Sequence, residues 1–292
     1  MEALLSLSFD NLSSYDASKI RKGLRQVEGL LAQICLSNSP RSNVDKRRSM
    51  IDPGKEPPPR KALSELPNDA AFREFFRLQE GFEWNVAMRL VTCLDRLMGK
   101  TNDGQSDLLI IQTLELIQGV LLLHPPSRSL FSRELYMNHL LDLLEPVNCP
   151  AIQSATLLTL VCSLIDTPKN TRTFETLDGL LTITSIFKSR ETSRDVKLKL
   201  VEFLYFYLMP ETPLLQSSSS SSSLALMQRS PSKLPVAINN REESGRRRAQ
   251  SESEHTKTLE EKQELLGRYL HNVDDLVADL RESHPFGGSI GS

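Results

Sequence analysis

The chain reads as an all-α protein, a short HEAT- or armadillo-like helical solenoid with a carboxyl-terminal helix and disordered insertions. A recurrence at fixed spacing carries most of that reading. Leu121-Leu122-Leu123-His124-Pro125 returns 43 residues later as Leu164-Ile165-Asp166-Thr167-Pro168, and the apolar helix end returns again at Tyr207-Leu208-Met209-Pro210-Glu211. In that register Phe131 falls on Phe174, Leu116 on Thr159, Leu114 on Leu157, Leu140 on Ile183 and Leu144 on Phe187. In the third copy Leu208 falls on Ile165 and Leu204 on Val161. A helical period of about 40 to 47 residues marks repeats that bury their apolar faces only against their neighbours. The other two observations are stripes of apolar residues at helical spacing and two stretches in which the apolar content collapses.

The first strong helix is predicted from Asp16 to Leu36, where Ile20, Leu24, Val27, Leu31 and Ile34 form one stripe at spacings of four and three. Lys19, Arg21, Lys22, Arg25 and Glu28 make its charged face. From Ser37 to Leu66 the period vanishes, and Ser39-Pro40, Asp52-Pro53-Gly54 and Pro57-Pro58-Pro59 continue neither helix nor strand. Helical pattern resumes near Asn68 and runs through Phe72, Phe75, Phe76, Leu78, Phe82, Trp84, Val86, Leu90, Val91, Leu94 and Leu97. Asp107 to Leu123 is apolar on three sides, as expected of a central helix. A short turn at Arg128 to Ser132 and a helix to Leu144 follow. The next unit repeats that plan as Ala151 to Ile165, Asn170 to Thr176 and Leu177 to Phe187, and Ser193 to Leu208 adds one more long helix.

Beyond Pro210 come seven serines from Ser217 to Ser223 and the basic triplet Arg246-Arg247-Arg248. So little apolar surface does not offset the roughly 1 to 2 kcal/mol per residue that backbone ordering costs. A last helix is predicted from Lys257 to Arg281, with Leu259, Leu266, Val273 and Leu280 spaced at seven, Tyr269 and Leu276 three after two of them, and a polar break at Lys262. It either docks back on the solenoid as a cap or pairs with a partner helix. The domain plan is therefore an amino-terminal helix over 1–36, an insertion over 37–66, the repeat domain over 67–211, a Ser-rich insertion over 212–256 and a carboxyl-terminal helix and tail over 257–292.

Composition narrows the function. The 292 residues carry a formal net charge of -2 and a pI near 6.3, so no long-range field draws the protein to nucleic acid or acidic lipid. Cys35, Cys93, Cys149 and Cys162 lie far apart without zinc-ligand spacing, and all four read as small buried hydrophobes. The amino end lacks the basic region of a secretory signal, and no apolar run reaches the roughly 20 residues needed to span a bilayer. The expectation is a cytosolic, reduced protein without integral membrane association.

No phosphate-binding glycine loop, dinucleotide fingerprint or zinc-protease signature occurs, and the expectation is no catalytic, metal or cofactor site. His124, His139, His255, His271 and His284 are isolated, and His124 stands where the parallel repeat has Thr167, so it reads as structural. The candidate partner-binding residues are Arg21, Arg25 and Glu28 on the first helix and Tyr205 and Tyr207 near the end of the last repeat. For the tyrosines, packing of that repeat is the competing expectation. Ser230-Pro231-Ser232-Lys233 and Arg247-Arg248-Ala249-Gln250-Ser251 present Ser230 and Ser251 as phosphorylation candidates, because each phosphate adds nearly two negative charges beside arginines.

Several segments together resemble a known family. They are Gly23-Leu24-Arg25-Gln26-Val27-Glu28, then Leu122-Leu123-His124-Pro125 with Ser127 and Phe131, and the run Glu202-Phe203-Leu204-Tyr205-Phe206-Tyr207-Leu208 before Pro210-Glu211. Tyr269-Leu270-His271-Asn272-Val273 and the closing Pro285-Phe286-Gly287 complete the set. In this order they are similar to the fungal cell division control protein fourteen of the septation initiation network. This is not the phosphatase of that name. The resemblance covers nearly the whole chain except Ser37 to Leu66 and Pro213 to His255, which look like insertions. It implies a non-catalytic subunit that binds and activates a germinal-centre-type protein kinase, works with other septation network proteins in cytokinesis, and is recruited from the cytoplasm to the spindle pole body. The residues alone reach only an interaction scaffold, and an armadillo-type adaptor for cytoskeleton or membrane traffic is the alternative.

Overall fold

In the computed structural model, which describes residues 1–36, 61–62, 64–99, 106–211 and 256–283, the chain is helical throughout, apart from turns and short connections. It divides into two units, residues 1–130 and 131–292.

The first unit opens with a helix that periodicity does not announce. In α1 (Glu2–Leu12), Leu5, Phe9 and Leu12 are buried, whereas Leu4 and Leu7 stay exposed. Leucines on both sides blur the stripe, and Met1 supplies no side-chain cap, so neither usual signal of a helix start is present. Helix α2 (Ala17–Cys35) matches its stripe: Ile20, Leu24, Val27, Leu31 and Ile34 are all buried. Its start is set by Asp16, whose carboxylate accepts the Ser18 N–H at 2.8 Å and is held below the usual carboxylate range by that bond. Helices α1 and α2 pack closely because position 23 is glycine: a Cβ there would lie 3.0 Å from both Leu12 Cγ and the Leu12 backbone nitrogen.

The pattern from Asn68 to Leu97 is two helices, α3 (Ala70–Gln79) and α4 (Val86–Met98). Gln79, itself buried, accounts for the break. Its amide donates to Trp84 O at 3.1 Å and accepts from Val86 N at 2.7 Å, while Asn85 caps α4 through Met88 N and donates to Gln79 O. Phe82, counted with the apolar stripe, sits on the exposed connection. Arg96 of α4 donates to Leu12 O and Ser13 O, closing the carboxyl end of α1. Central helix α5 (Asp107–Leu123) packs against α2 and α4, as its apolar faces require.

The folded region begins before residue 67. Lys61 donates its backbone N–H to Cys35 O and its ammonium to Ile34 O and to Asp69, and Leu66 is buried in a 3₁₀ turn, Leu66–Asn68. The rest of the expected first insertion, and nearly all of the second, lies outside the described residues.

In the second unit, α6 (Glu134–Asp142), α7 (Pro150–Leu164), α8 (Pro168–Thr176), α9 (Gly179–Lys188) and α10 (Arg194–Leu208) follow the expected order within a residue or two at most ends. Helices α7 and α10 form the central pair, and α9 packs on α10. The 43-residue register survives in backbone geometry. His124, at the carboxyl end of α5, has φ -132° and ψ 80°, Thr167, at the start of α8, has φ -135° and ψ 75°, and each stands just before a proline. Phe131 and Phe174, at 1% and 0% exposure, are both core wedges. The match is not complete: the segment after His124 is a 3₁₀ helix, Pro125–Ser132, where its counterpart is α8, and Phe187 is half-buried where Leu144 is buried.

The predicted single carboxyl-terminal helix is α11 (Leu259–Gly267) and α12 (Val273–Ser283). Gly267, the poorest helix former in that stretch, ends the first piece. The bend lets both pieces lie on α10, so docking within the chain is the observed arrangement. Leu266 and Val273 are buried as the seam predicted, but Leu270 and Val277 are the other core positions, while Leu259, Tyr269 and Leu276 are half-buried. The side chain of Leu280 lies outside the described residues. The cysteines depart from expectation too: Cys93 is buried, while Cys35, Cys149 and Cys162 are half-buried, and all four are free thiols.

Candidate partner-binding sites

The predicted contact residues on α2 form a solvent face. Arg21, Arg25 and Glu28 are all exposed, and Glu28 accepts a long hydrogen bond of 3.5 Å from Gln112 of α5. Their position follows from helical geometry, since 21, 25 and 28 lie on the side opposite the stripe that α1 and α5 bury. The face can meet a charged partner, and it offers no apolar anchor.

The two tyrosines of α10 separate. Tyr205 is half-buried on the helix flank. Tyr207 is 1% exposed, its hydroxyl donating to Glu175 Oε1 at 2.7 Å, and burial together with the Glu175 charge pushes its phenol well above the ordinary value. It belongs to an ionic cluster that sequence reasoning did not assemble.

Glu211, just past the end of α10, accepts from Arg172 at 2.7 Å, from Lys262 at 2.9 Å and from the Lys257 backbone N–H at 2.9 Å. Glu175 accepts from Arg172 at 3.0 Å and from Lys257 at 2.6 Å. Lys262 is 3% exposed, lies 5.3 Å from the centre of the Tyr207 ring and also donates to Tyr207 O and Met209 O, each at 2.9 Å. It therefore caps the negative carboxyl end of α10, where a cation is favoured. Burial lowers its affinity for a proton and the Glu211 carboxylate opposes that fall. Read as a polar break in an apolar seam, Lys262 is the ion that fastens α11 to α10. A lone lysine at a seam position was the one available signal, since such a residue needs a buried partner.

Beside the cluster runs an apolar groove of about 650 Å³ between the α7–α8 turn and the end of α10, bordered by Ile165, Pro168, Phe206 and Met209. Asp166 makes the turn with φ 51°, a left-handed conformation that short polar side chains tolerate.

A second groove, of about 600 Å³, lies in the first unit between α3 and the end of α5. Phe72, Phe76, Leu66, Leu122 and Leu123 line it, and Arg73, Arg77 and Glu80 stand along its α3 side. The Phe76 ring meets the ring of His124 edge-on at 4.5 Å. His124 is 2% exposed, its Nδ1 lies 2.8 Å from Ser127 Oγ, and its Nε2 has no hydrogen-bond partner among the described residues. Burial drops its pKa to about 4, so the ring is neutral and structural at neutral pH.

Ser230 and Ser251 lie outside the described residues. Among the described residues no group of three or more His, Cys, Asp or Glu side chains is placed to hold a metal, and no helix is long and apolar enough to cross a membrane.

Comparison with known proteins adds the family. The family model described as "Cell division control protein 14, SIN component" matches residues 1–286. Cell division control protein 14 of Schizosaccharomyces pombe is 28% identical over 295 residues, covering 98% of this chain and 97% of that protein. No solved structure matches the chain.

Proposed function

The chain belongs to the family of cell division control protein 14, the SIN component, whose work is septation in the cell cycle, and on that premise we propose that it is a non-catalytic scaffold that binds and activates a germinal-centre-type protein kinase of the septation initiation network. The observation that carries the reading is the extent of the match, residues 1–286, which spans both helical units. Helical stacks of this kind serve by presenting surfaces; the exposed residues Arg21, Arg25 and Glu28 of the first unit are the proposed partner face, and Tyr205 of the second unit is a separate proposed contact. Recruitment to the spindle pole body belongs to the same reading.

Co-purification from mitotic cells, with the bound proteins identified by mass, tests it. A kinase of the germinal-centre class is expected in equal amount with the chain, and its activity is expected to rise when the purified pair is reconstituted. Arg21→Glu with Arg25→Glu is expected to leave circular dichroism intact and to weaken that binding, because like charges opposed at an interface are costly. Recovery of a cytoskeletal or trafficking complex without a kinase would replace the kinase reading by that of an adaptor.

A further inference from the structure

The charged face of α2 offers only the chemistry of an interface rim, and stable interfaces draw their strength from a few apolar anchors seated in pockets. The groove between α3 and the end of α5 supplies such a pocket. Leu122, 58% exposed, stands at one edge, and the half-buried rings of Phe72 and Phe76 line it. Along the α3 side Arg73 and Arg77 are one helical turn apart and both exposed, their guanidinium groups make no ion pair or hydrogen bond among the described residues, and Glu80 follows one turn later. An apolar trough between helices, rimmed by two free guanidinium groups at a spacing of four, matches one ligand shape well: a helix with an apolar stripe and carboxylates on its flank.

We propose that this groove takes an amphipathic helix whose apolar stripe is flanked by acidic residues, with its leucine-like side chains beside Leu122, Phe72 and Phe76 and its carboxylates on Arg73 and Arg77, and that the helix belongs to the bound kinase polypeptide. The last clause rests on the reading of the protein as a kinase subunit; the chemistry of the groove does not. Glu80 at the far end fixes direction, since it favours a basic residue on the partner helix beyond the acidic pair.

Two measurements on the full chain test the proposal. The first titrates a labelled helical peptide of about 18 residues, with leucines at positions i, i+3, i+4 and i+7 and glutamates beside them, against a twin that carries lysines for the glutamates. The glutamate peptide is expected to bind the parent chain at least tenfold more tightly than the lysine twin. Leu122→Asp is expected to weaken binding of both peptides, and separately Arg73→Glu with Arg77→Glu is expected to reverse the preference in favour of the lysine twin, while circular dichroism and Tm stay at parent values. Equal binding of the two peptides, or no binding of either, overturns the groove assignment. The second compares recovery of the kinase by parent and variant chains. Loss of kinase with Leu122→Asp supports the full proposal. Equal recovery by both chains overturns the assignment of the helix to the kinase and leaves the kinase reading standing, whereas absence of any kinase from the parent sample sinks that reading and with it the assignment, the groove then being judged by the peptides alone.

Discussion

At the scale of single residues, the 43-residue register makes claims that side-chain chemistry can check. Phe174 is fully buried and lies against Phe203 edge-on at 5.6 Å, and a Cβ added to Gly179 would come within 2.3 Å of its ring. Phe174→Ala is therefore expected to cost roughly 3 to 5 kcal/mol, measured by denaturant unfolding. Gly179→Ala overpacks the same ring and is expected to cost about 1 to 3 kcal/mol in the parent but much less in the Phe174→Ala background, a coupling that additive changes would contradict. His124 gives a pH signature. Its folded pKa of about 4 is below the ordinary 6.5, so the unfolded chain takes up the proton first. Its stabilising contribution is full above pH 6.5 and is lost as pH falls from there toward 4. Between pH 7 and pH 5 the parent is expected to lose about 2 kcal/mol more unfolding free energy than His124→Thr, the residue of the sister turn. Parallel pH profiles for the two chains would contradict the burial account.

At the scale of elements, the cluster around Glu211 decides where the carboxyl-terminal helices lie. Lys262, Arg172 and Lys257 bring three positive charges to the two carboxylates of Glu175 and Glu211. Removing one partner of a buried pair leaves the other poorly compensated, whereas an apolar replacement of a whole network is often tolerated. Lys262→Met is thus expected to destabilise the docked state by about 1 to 3 kcal/mol, because Glu211 keeps Arg172 while the end of α10 loses its cap. The readout is local: backbone amides over 259–283 should exchange faster, and those of α7 should not. Unchanged protection over 259–283 would mean that Leu266, Leu270 and Val273 hold α11 and α12 without the ion.

At the scale of the whole molecule, two units of packed helices carry surfaces of different kinds. One has a basic face on α2 and a groove beside α3; the other has a groove beside the docked carboxyl-terminal helices. Membership of the septation family spans both units, so partner binding that drew on only one would leave the other to be explained by further members of the network.

What the sequence determined by itself was whatever repeats locally. The stripe of α2, the apolar faces of α5, the proline-ended turns at His124 and Thr167 and the register that pairs Phe131 with Phe174 are all visible, because helical period and proline restriction act within a few residues. The family resemblance rested on the same short runs. Helix α1 was illegible because its leucines face two ways and no cap marks its start. The break at Gln79 and the burial of Lys262 and Tyr207 were decided by tertiary structure. Each depends on groups that meet only after folding: Gln79 with Val86, and Lys262 with Glu211 across some 50 residues of chain. The groove beside α3 is of that kind too, for neither Arg73 nor Leu122 announces a site until α3 comes to lie along the end of α5.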